Sequence, residues 1–134
     1  MCAFKNIDEA RVFFSNDRFA ANNGIVLERI TEDGSICSME IKDDHRNAIG
    51  GVMGGAIFTL GDFAFATSTN DDEHSTVALD VTINFTNATK GSKLIATSKR
   101  IKDGKTTCVY QVTITDDLGK TVALFTGTGF KIKS

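Results

Sequence analysis

The amino-acid sequence predicts an α+β fold in which one long helix packs against a sheet of about six antiparallel strands. Residues 54–70, GGAIFTLGDFAFATSTN, form a single apolar stretch of helix length. Between residues 77 and 124, apolar and polar residues alternate with the two-residue period of a strand. Turn-like segments such as KDGK and DDLGK separate the alternating runs. Because connections of that length join antiparallel neighbours, the strands are expected to form hairpins.

The N-terminal part predicts a short helix followed by a β-hairpin. Asn6 and Glu9 have the spacing of a capping box, and apolar residues then recur at helical spacing up to Phe14. The next segment, NDRFAANNG, is predicted to be an irregular turn. Two strand-like segments, IVLERI and SICSMEI, flank the turn-like EDG at residues 32–34. They predict a hairpin.

The long helix is apolar on nearly every side and is therefore expected to be buried. Gly61 in its middle weakens a helix by about 1 kcal/mol relative to Ala, which predicts close packing at that point. After the polar segment NDDEHS, four strands are predicted. The first of them carries its apolar residues at alternate positions: Val77, Leu79, Val81, Ile83 and Phe85.

Composition limits the classes of function. The 134 residues predict a single domain, 1–134, and 15 Lys and Arg against 17 Asp and Glu leave a net charge of -2. This weak charge favours small molecules or other protein chains as partners over nucleic acid or a membrane surface. Cys2, Cys37 and Cys108 form no CxxC pair and predict free thiols in a reducing compartment, the cytoplasm. The sequence shows no pattern of a signal peptide or a membrane span. It has no metal-ligand spacing and no cofactor motif, so no cofactor is expected.

Candidate chemistry concentrates at the long helix. Asp62 is the only charged residue between Arg46 and Asp71, and burying a lone carboxylate costs several kcal/mol unless it is paired or neutralised. It either emerges at an interface or serves as a base or nucleophile in a cleft. Gly54 begins the helix, where free amides can hold an oxyanion, although a glycine there also suits a plain turn. Asn47 could orient a water or carbonyl, or simply form a turn.

For two groups of polar residues, the sequence favours exposure to solvent over a role in chemistry. His45 and His74 lie in polar segments between acids and are expected to be solvated. The basic residues near the KDGK turn are expected to lie at a solvated strand edge, although clustered cations can also bind phosphates. These basic residues are Lys90, Lys93, Lys99, Arg100, Lys102 and Lys105.

The segment NAIGGVMGGAIFTLGDFAFA, followed by the strands from residue 76 to residue 130, resembles the hotdog-fold thioesterases of the PaaI type from about Gly24 onward. The family pattern N-x-x-G-x-x-x-G-G, with an acid eight residues after the first Gly of the pair, fits residues 47–62. The resemblance implies a long helix wrapped by an antiparallel sheet and hydrolysis of acyl-coenzyme A thioesters. It implies that Asn47 positions the water or thioester, that the Gly54 amide polarises the carbonyl, and that Asp62 is the base or nucleophile.

The sequence departs from the family at two positions. Met53 stands where the family usually has His, and the Ser or Thr that often assists the acid falls at Ala78, with Thr76 nearby. Coenzyme A is expected only as part of the substrate, with its phosphates near the basic hairpin. The predicted substrate-binding residues are Met53, Gly55, Thr76, Ala78, Arg100, Lys102 and Lys105.

The spacing of the site residues predicts an assembly. Gly54 and Asp62 are eight residues apart, or about 12 Å along a helix axis, so one carbonyl cannot touch both in one chain. A working site would take Gly54 and Asn47 from one subunit and Asp62 from another, in a homodimer or homotetramer. The sequence thus predicts an acyl-CoA thioesterase. Two alternatives are a non-catalytic acyl-CoA sensor of hotdog fold and a hotdog dehydratase, which pairs a His with an acid.

Overall fold

The computed structural model describes residues 4–132, which form three α-helices and one antiparallel sheet of six strands. The helices are α1 (Ile7–Phe14), α2 (Arg18–Asn22) and α3 (Gly54–Thr69), and a 3-10 turn covers Asp43–His45. The strands are β1 (Ile25–Thr31), β2 (Gly34–Glu40), β3 (Ser75–Phe85), β4 (Lys93–Asp103), β5 (Thr107–Asp116) and β6 (Thr121–Ile132).

The sheet has the strand order β1-β2-β4-β5-β6-β3, and α3 contacts all six strands. The predicted α+β fold, the long helix and the six antiparallel strands are therefore confirmed. The short first helix is confirmed too, because the Asn6 side chain accepts a hydrogen bond from the Glu9 amide at 2.9 Å. Within the described part of the chain, no helix is long and apolar enough to cross a membrane.

Close packing at Gly61 is also confirmed. A Cβ atom built on Gly61 would lie 2.8 Å from Cδ2 of Phe125 and 3.3 Å from Cδ1 of Ile114. Both of those side chains are fully buried. The missing side chain therefore lets α3 approach β5 and β6, and this close packing offsets the propensity cost of glycine in the helix.

The prediction of an irregular turn over NDRFAANNG is wrong, because Arg18–Asn22 forms α2. The Asn23 side chain donates to the Phe19 carbonyl at 2.7 Å and closes this short helix. Ala20 on the helix is buried in the core. A helix of five residues is too short to show helical periodicity in the sequence. Packing of Ala20 in the core stabilises it.

The strand β3 is an edge strand with uncovered apolar side chains. Among residues 4–132, its backbone pairs only with β6, over the length of the strand. The sequence pattern suggests that one face of β3 is buried, but Val77, Leu79 and Phe85 are 45%, 61% and 53% exposed. A long apolar edge of this kind invites pairing with another strand.

Candidate active site

The start of α3 presents two backbone donors. The Met53 carbonyl accepts from the amides of Ala56 and Ile57 at 3.0 and 3.2 Å, which closes the first turn of the helix. Among the described residues, nothing accepts a hydrogen bond from the amides of Gly54 or Gly55. They are the first N–H groups of the helix, at its positive dipole end. This helix end can therefore bind an anion or a polarised carbonyl oxygen.

Asn47 organises the loop before α3. Its side-chain oxygen accepts from the amides of Ile49 and Gly51 at 3.1 and 3.0 Å. The backbone amide of Asn47 donates to the Gly51 carbonyl at 2.8 Å, and Gly50 has a positive φ of 87°. Because the side-chain oxygen is already engaged, the Nδ2 amino group is the part of Asn47 that can meet a substrate, and it can only donate.

His45 anchors the same loop from inside the protein. The expectation of a solvated residue is wrong, because His45 is only 3% exposed. Its Nδ1 accepts from the Lys42 amide at 3.0 Å, and its Nε2 donates to the Asn23 carbonyl at 2.9 Å. Its own carbonyl accepts from the Met53 amide at 2.8 Å. The 3-10 turn points this ring inward, so His45 supports the start of α3.

Asp62 lies in a cleft of about 350 Å³ that also contains Asp17, Thr59 and Phe63. The carboxylate is partly buried, and it has no hydrogen bond or ion pair within residues 4–132. Burial raises the pKa of Asp62, and the negative charge of Asp17 raises that pKa further. An unpaired carboxylate whose pKa is raised is a stronger base than an ordinary surface aspartate.

A second cleft, of about 260 Å³, lies at the other end of α3 and contains Thr76 and Arg100. The Thr76 hydroxyl donates to the Thr69 carbonyl at 3.0 Å, and its amide donates to the Asn70 side chain at 2.7 Å. Thr76 therefore caps the end of the helix and lies apart from the Asp62 cleft. Ala78, Lys102 and Lys105 are exposed outside both clefts.

The structure divides the basic residues between two places. Lys93 begins β4 and Arg100 lies seven residues later, about 23 Å away along an extended strand. Lys93 is also paired with Glu28 at 3.6 Å. The second cleft contains a further cation, Lys131, which pairs with Asp103 and was not predicted from the sequence. The second cleft therefore lies at the Arg100 end of β4, away from Lys93.

His74, Cys37 and Cys108 do not line the Asp62 cleft. The His74 ring lies 3.0 Å from Asp71 at the surface, in an ion pair when it is protonated. Cys37 is buried, and burial raises the pKa of its thiol to about 11. Cys108 is also a free buried thiol, whereas Cys2 lies outside the described residues. No cluster of three or more potential metal ligands occurs in residues 4–132.

In one chain, then, the predicted site residues other than Ala78, Lys102 and Lys105 occupy three places. Asn47, Met53, Gly54 and Gly55 surround the start of α3, Asp62 lies in the middle, and Thr76 and Arg100 lie at the far end. Asp17 was not among the residues predicted for the site. Its only sequence signal is its place just before α2, a helix that the sequence pattern did not predict.

Comparison with known proteins finds relatives that are similar in sequence and in fold. The family model described as the acyl-CoA thioesterase N-terminal domain matches residues 43–129. The acyl-coenzyme A thioesterase PaaI of Escherichia coli K12 is 33% identical over 124 residues, covering 92% of this chain and 89% of that protein.

Two solved structures extend the similarity to three dimensions. The structure of the E. coli PaaI protein from the phenylacetic acid degradation operon matches with a TM-score of 0.87 and 31% identity, covering 95% of this chain and 93% of that one. A hypothetical thioesterase of Streptococcus pneumoniae TIGR4, solved with coenzyme A, matches with a TM-score of 0.81 and 25% identity, covering 90% and 98%.

Proposed function

The chain belongs to the acyl-CoA thioesterase family and has its hotdog fold, and we propose that it hydrolyses an acyl-CoA thioester to a free acid and coenzyme A. One observation carries the proposal. A single helix presents free backbone amides at Gly54 and Gly55 and, eight residues after Gly54, the unpaired carboxylate of Asp62 in a cleft. Thioester hydrolysis needs both parts, a donor for the carbonyl oxygen and a base or nucleophile.

We further propose that the site is shared between two copies of the chain. About 12 Å of helix separates Gly54 from Asp62, so the two groups serve one carbonyl only if they come from different subunits. The side of α3 that carries Asp62 is incompletely buried at Gly55, Phe58 and Ala66. The exposed edge of β3 offers a further surface for a second copy.

In this reaction the partner subunit's start of α3 would hold the thioester carbonyl. The amide of Gly54 donates to the carbonyl oxygen, and the amino group of Asn47 supplies a second donor. With Asp62 as base, a water oxygen bonds to the carbonyl carbon while its proton moves to the carboxylate. The carbon–sulfur bond then breaks, and the proton passes to the leaving thiolate.

Asp62 can also act as the nucleophile. Its carboxylate oxygen then bonds to the carbonyl carbon and expels the thiolate, and water cleaves the resulting anhydride. Label in Asp62 after a single turnover in ¹⁸O-labelled water identifies the nucleophile route. The base route leaves Asp62 unlabelled, whereas water attack at the Asp62 carbonyl of the anhydride places ¹⁸O in the protein.

Coenzyme A enters this reaction as part of the substrate, and the proposal requires no other cofactor. We place its phosphates near Arg100, because this cation borders the second cleft whereas Lys93 is paired with Glu28. Lys102 and Lys105 are exposed on the adjoining hairpin and can add to the positive charge. The free thiols of Cys37 and Cys108 suit a reducing compartment, and we propose the cytoplasm.

A screen of acyl-CoA substrates with a thiol reagent tests the proposal. Steady release of free thiol supports hydrolysis, and saturable acyl-CoA binding without release supports the sensor alternative. A dehydratase needs a histidine beside its acid. Both ring nitrogens of His45 are engaged in the core, and His74 pairs with Asp71 in the other cleft, so neither lies in the Asp62 cleft.

A further inference from the structure

We propose that Asp17 is a second functional carboxylate of this site, which acts through Asp62 by placing a negative charge beside it. This inference rests on the proposed function. It makes Asp17 a positioning residue for the base, contributed by the segment between α1 and α2.

The geometry supports a role in the cleft rather than in the helix. Asp17 occupies the N-cap position of α2, but its side chain makes no capping hydrogen bond. At the start of α2, Asp17 uses its backbone carbonyl, which accepts a hydrogen bond from the Ala21 amide at 2.9 Å. The carboxylate instead lines the cleft that contains Asp62. A capping aspartate would be expected to use its oxygens on the first helical amides.

The charges around the cleft are few. Its lining contains one other charged group, Arg18, among the described residues, and Arg18 forms no ion pair with either acid. Asp17 and Asp62 are thus two carboxylates without a direct cation between them. In such a pair, ionising one acid makes ionising the other harder.

The consequence is a stronger base at Asp62. When Asp17 is ionised, its charge opposes ionisation of Asp62 and thereby increases the proton affinity of the base that attacks the thioester through water. General-base catalysis gains from such an increase as long as the base stays ionised at the working pH. Asp17 lies at the exposed rim, where solvent screens the interaction, so the expected effect is moderate.

The test is a carboxyl ¹³C NMR titration of Asp62, with its resonance assigned by comparison with Asp62→Asn. In Asp17→Asn the midpoint should move to lower pH by about half a unit, because the repelling charge is gone. Asp17→Glu should restore the parent midpoint. Asp8→Asn, which removes an exposed carboxylate on α1, should leave it unchanged.

A purely structural role for Asp17 predicts a different result: a lower melting temperature with an unchanged Asp62 midpoint, which would overturn the proposal. Asp17→Ser provides a second neutral variant if Asp17→Asn does not fold. If neither variant folds, the titration of the parent protein provides the test. Coupling between the two acids requires Asp62 to titrate over a broader pH range than one isolated acid. Titration of Asp62 as an isolated acid would then overturn the proposal.

Turnover gives a second, separate measurement. The acid limb of kcat against pH should move with the NMR midpoint in Asp17→Asn, while KM stays near the parent value. Absence of thioester turnover in the parent would contradict the proposed function and leave the NMR result standing. Unchanged midpoints in an active enzyme would contradict only the role of Asp17.

Discussion

At the scale of single residues, Asp62 carries the first prediction. Asp62→Asn keeps the size of the side chain and removes its charge, so kcat should fall by about 10²- to 10⁴-fold, the usual contribution of a general base. Acyl-CoA should still bind, because the variant leaves the donors at the start of α3 in place. Asp8→Asn is the matched control and should keep parent activity. An Asp62→Asn enzyme as fast as its parent would exclude Asp62 from the chemistry.

The pH dependence of the parent follows from the same residue. The reaction requires the ionised carboxylate, and burial raises the pKa of Asp62. Activity should therefore fall on acidification at a higher pH than an ordinary aspartate would give, and it should be independent of this group well above its pKa. The acid limb of kcat measures the value in the substrate complex.

Asn47 gives a third prediction. Asn47→Asp keeps the oxygen that accepts from the Ile49 and Gly51 amides, so the loop should keep its shape. The variant loses the amino group that can donate to the thioester and adds a negative charge beside a developing oxyanion. We expect kcat to fall by about 10²-fold or more, with little change in melting temperature. Equal activity would limit Asn47 to its role in the loop.

These residues also show how much of the candidate site the sequence predicts. Asn47, Gly54 and Asp62 stand out because a motif fixes their spacing. Asp17 does not, since its position beside Asp62 depends on how α2 packs on α3. His45 was expected to be solvated because its neighbours are acidic, yet the inward 3-10 turn buries it. Long-range packing therefore decides the surroundings of a residue where local polarity is misleading.

At the scale of elements, the helix α3 carries a stability prediction. Alanine usually stabilises a helix relative to glycine, but the Cβ of Gly61→Ala would lie 2.8 Å from the Phe125 ring. We expect the overpacking to reverse the sign and lower the free energy of unfolding by about 1–3 kcal/mol. Gly55→Ala is the stability control, since its Cβ would meet only Met53 atoms at 3.9 Å. Denaturant titration measures both variants.

The β4–β5 hairpin carries a binding prediction. If coenzyme A phosphates lie near the second cleft, Arg100→Gln should raise KM by about tenfold and leave kcat nearly unchanged. Lys90→Gln removes a cation beyond the opposite end of β4 and should leave KM unchanged. Equal KM values in the two variants, with the same salt dependence, would assign Arg100 to a solvated edge.

At the scale of the whole molecule, periodicity predicted the layout well and the surroundings of one strand poorly. The long helix follows from an apolar stretch of helix length, and the four strands after it follow from a two-residue period. The exposure of Val77, Leu79 and Phe85 does not follow, because a single sequence shows which residues are apolar and not which surface covers them. In the proposed shared site, a second copy of the chain would cover this surface and would also complete the site.

The last prediction concerns the assembly and follows from the proposed shared site. Gly54→Pro removes the proposed oxyanion donor at the first helical position, where proline is tolerated. Gly54→Pro and Asp62→Asn should each be nearly inactive, and light scattering should show at least a dimer. When equal amounts are co-refolded, half of the dimers are mixed, and each mixed dimer has one intact site of two. Activity should then recover to about a quarter of the parent value. If mass spectrometry confirms mixed dimers and no activity returns, each site lies within one chain and the shared-site mechanism is wrong.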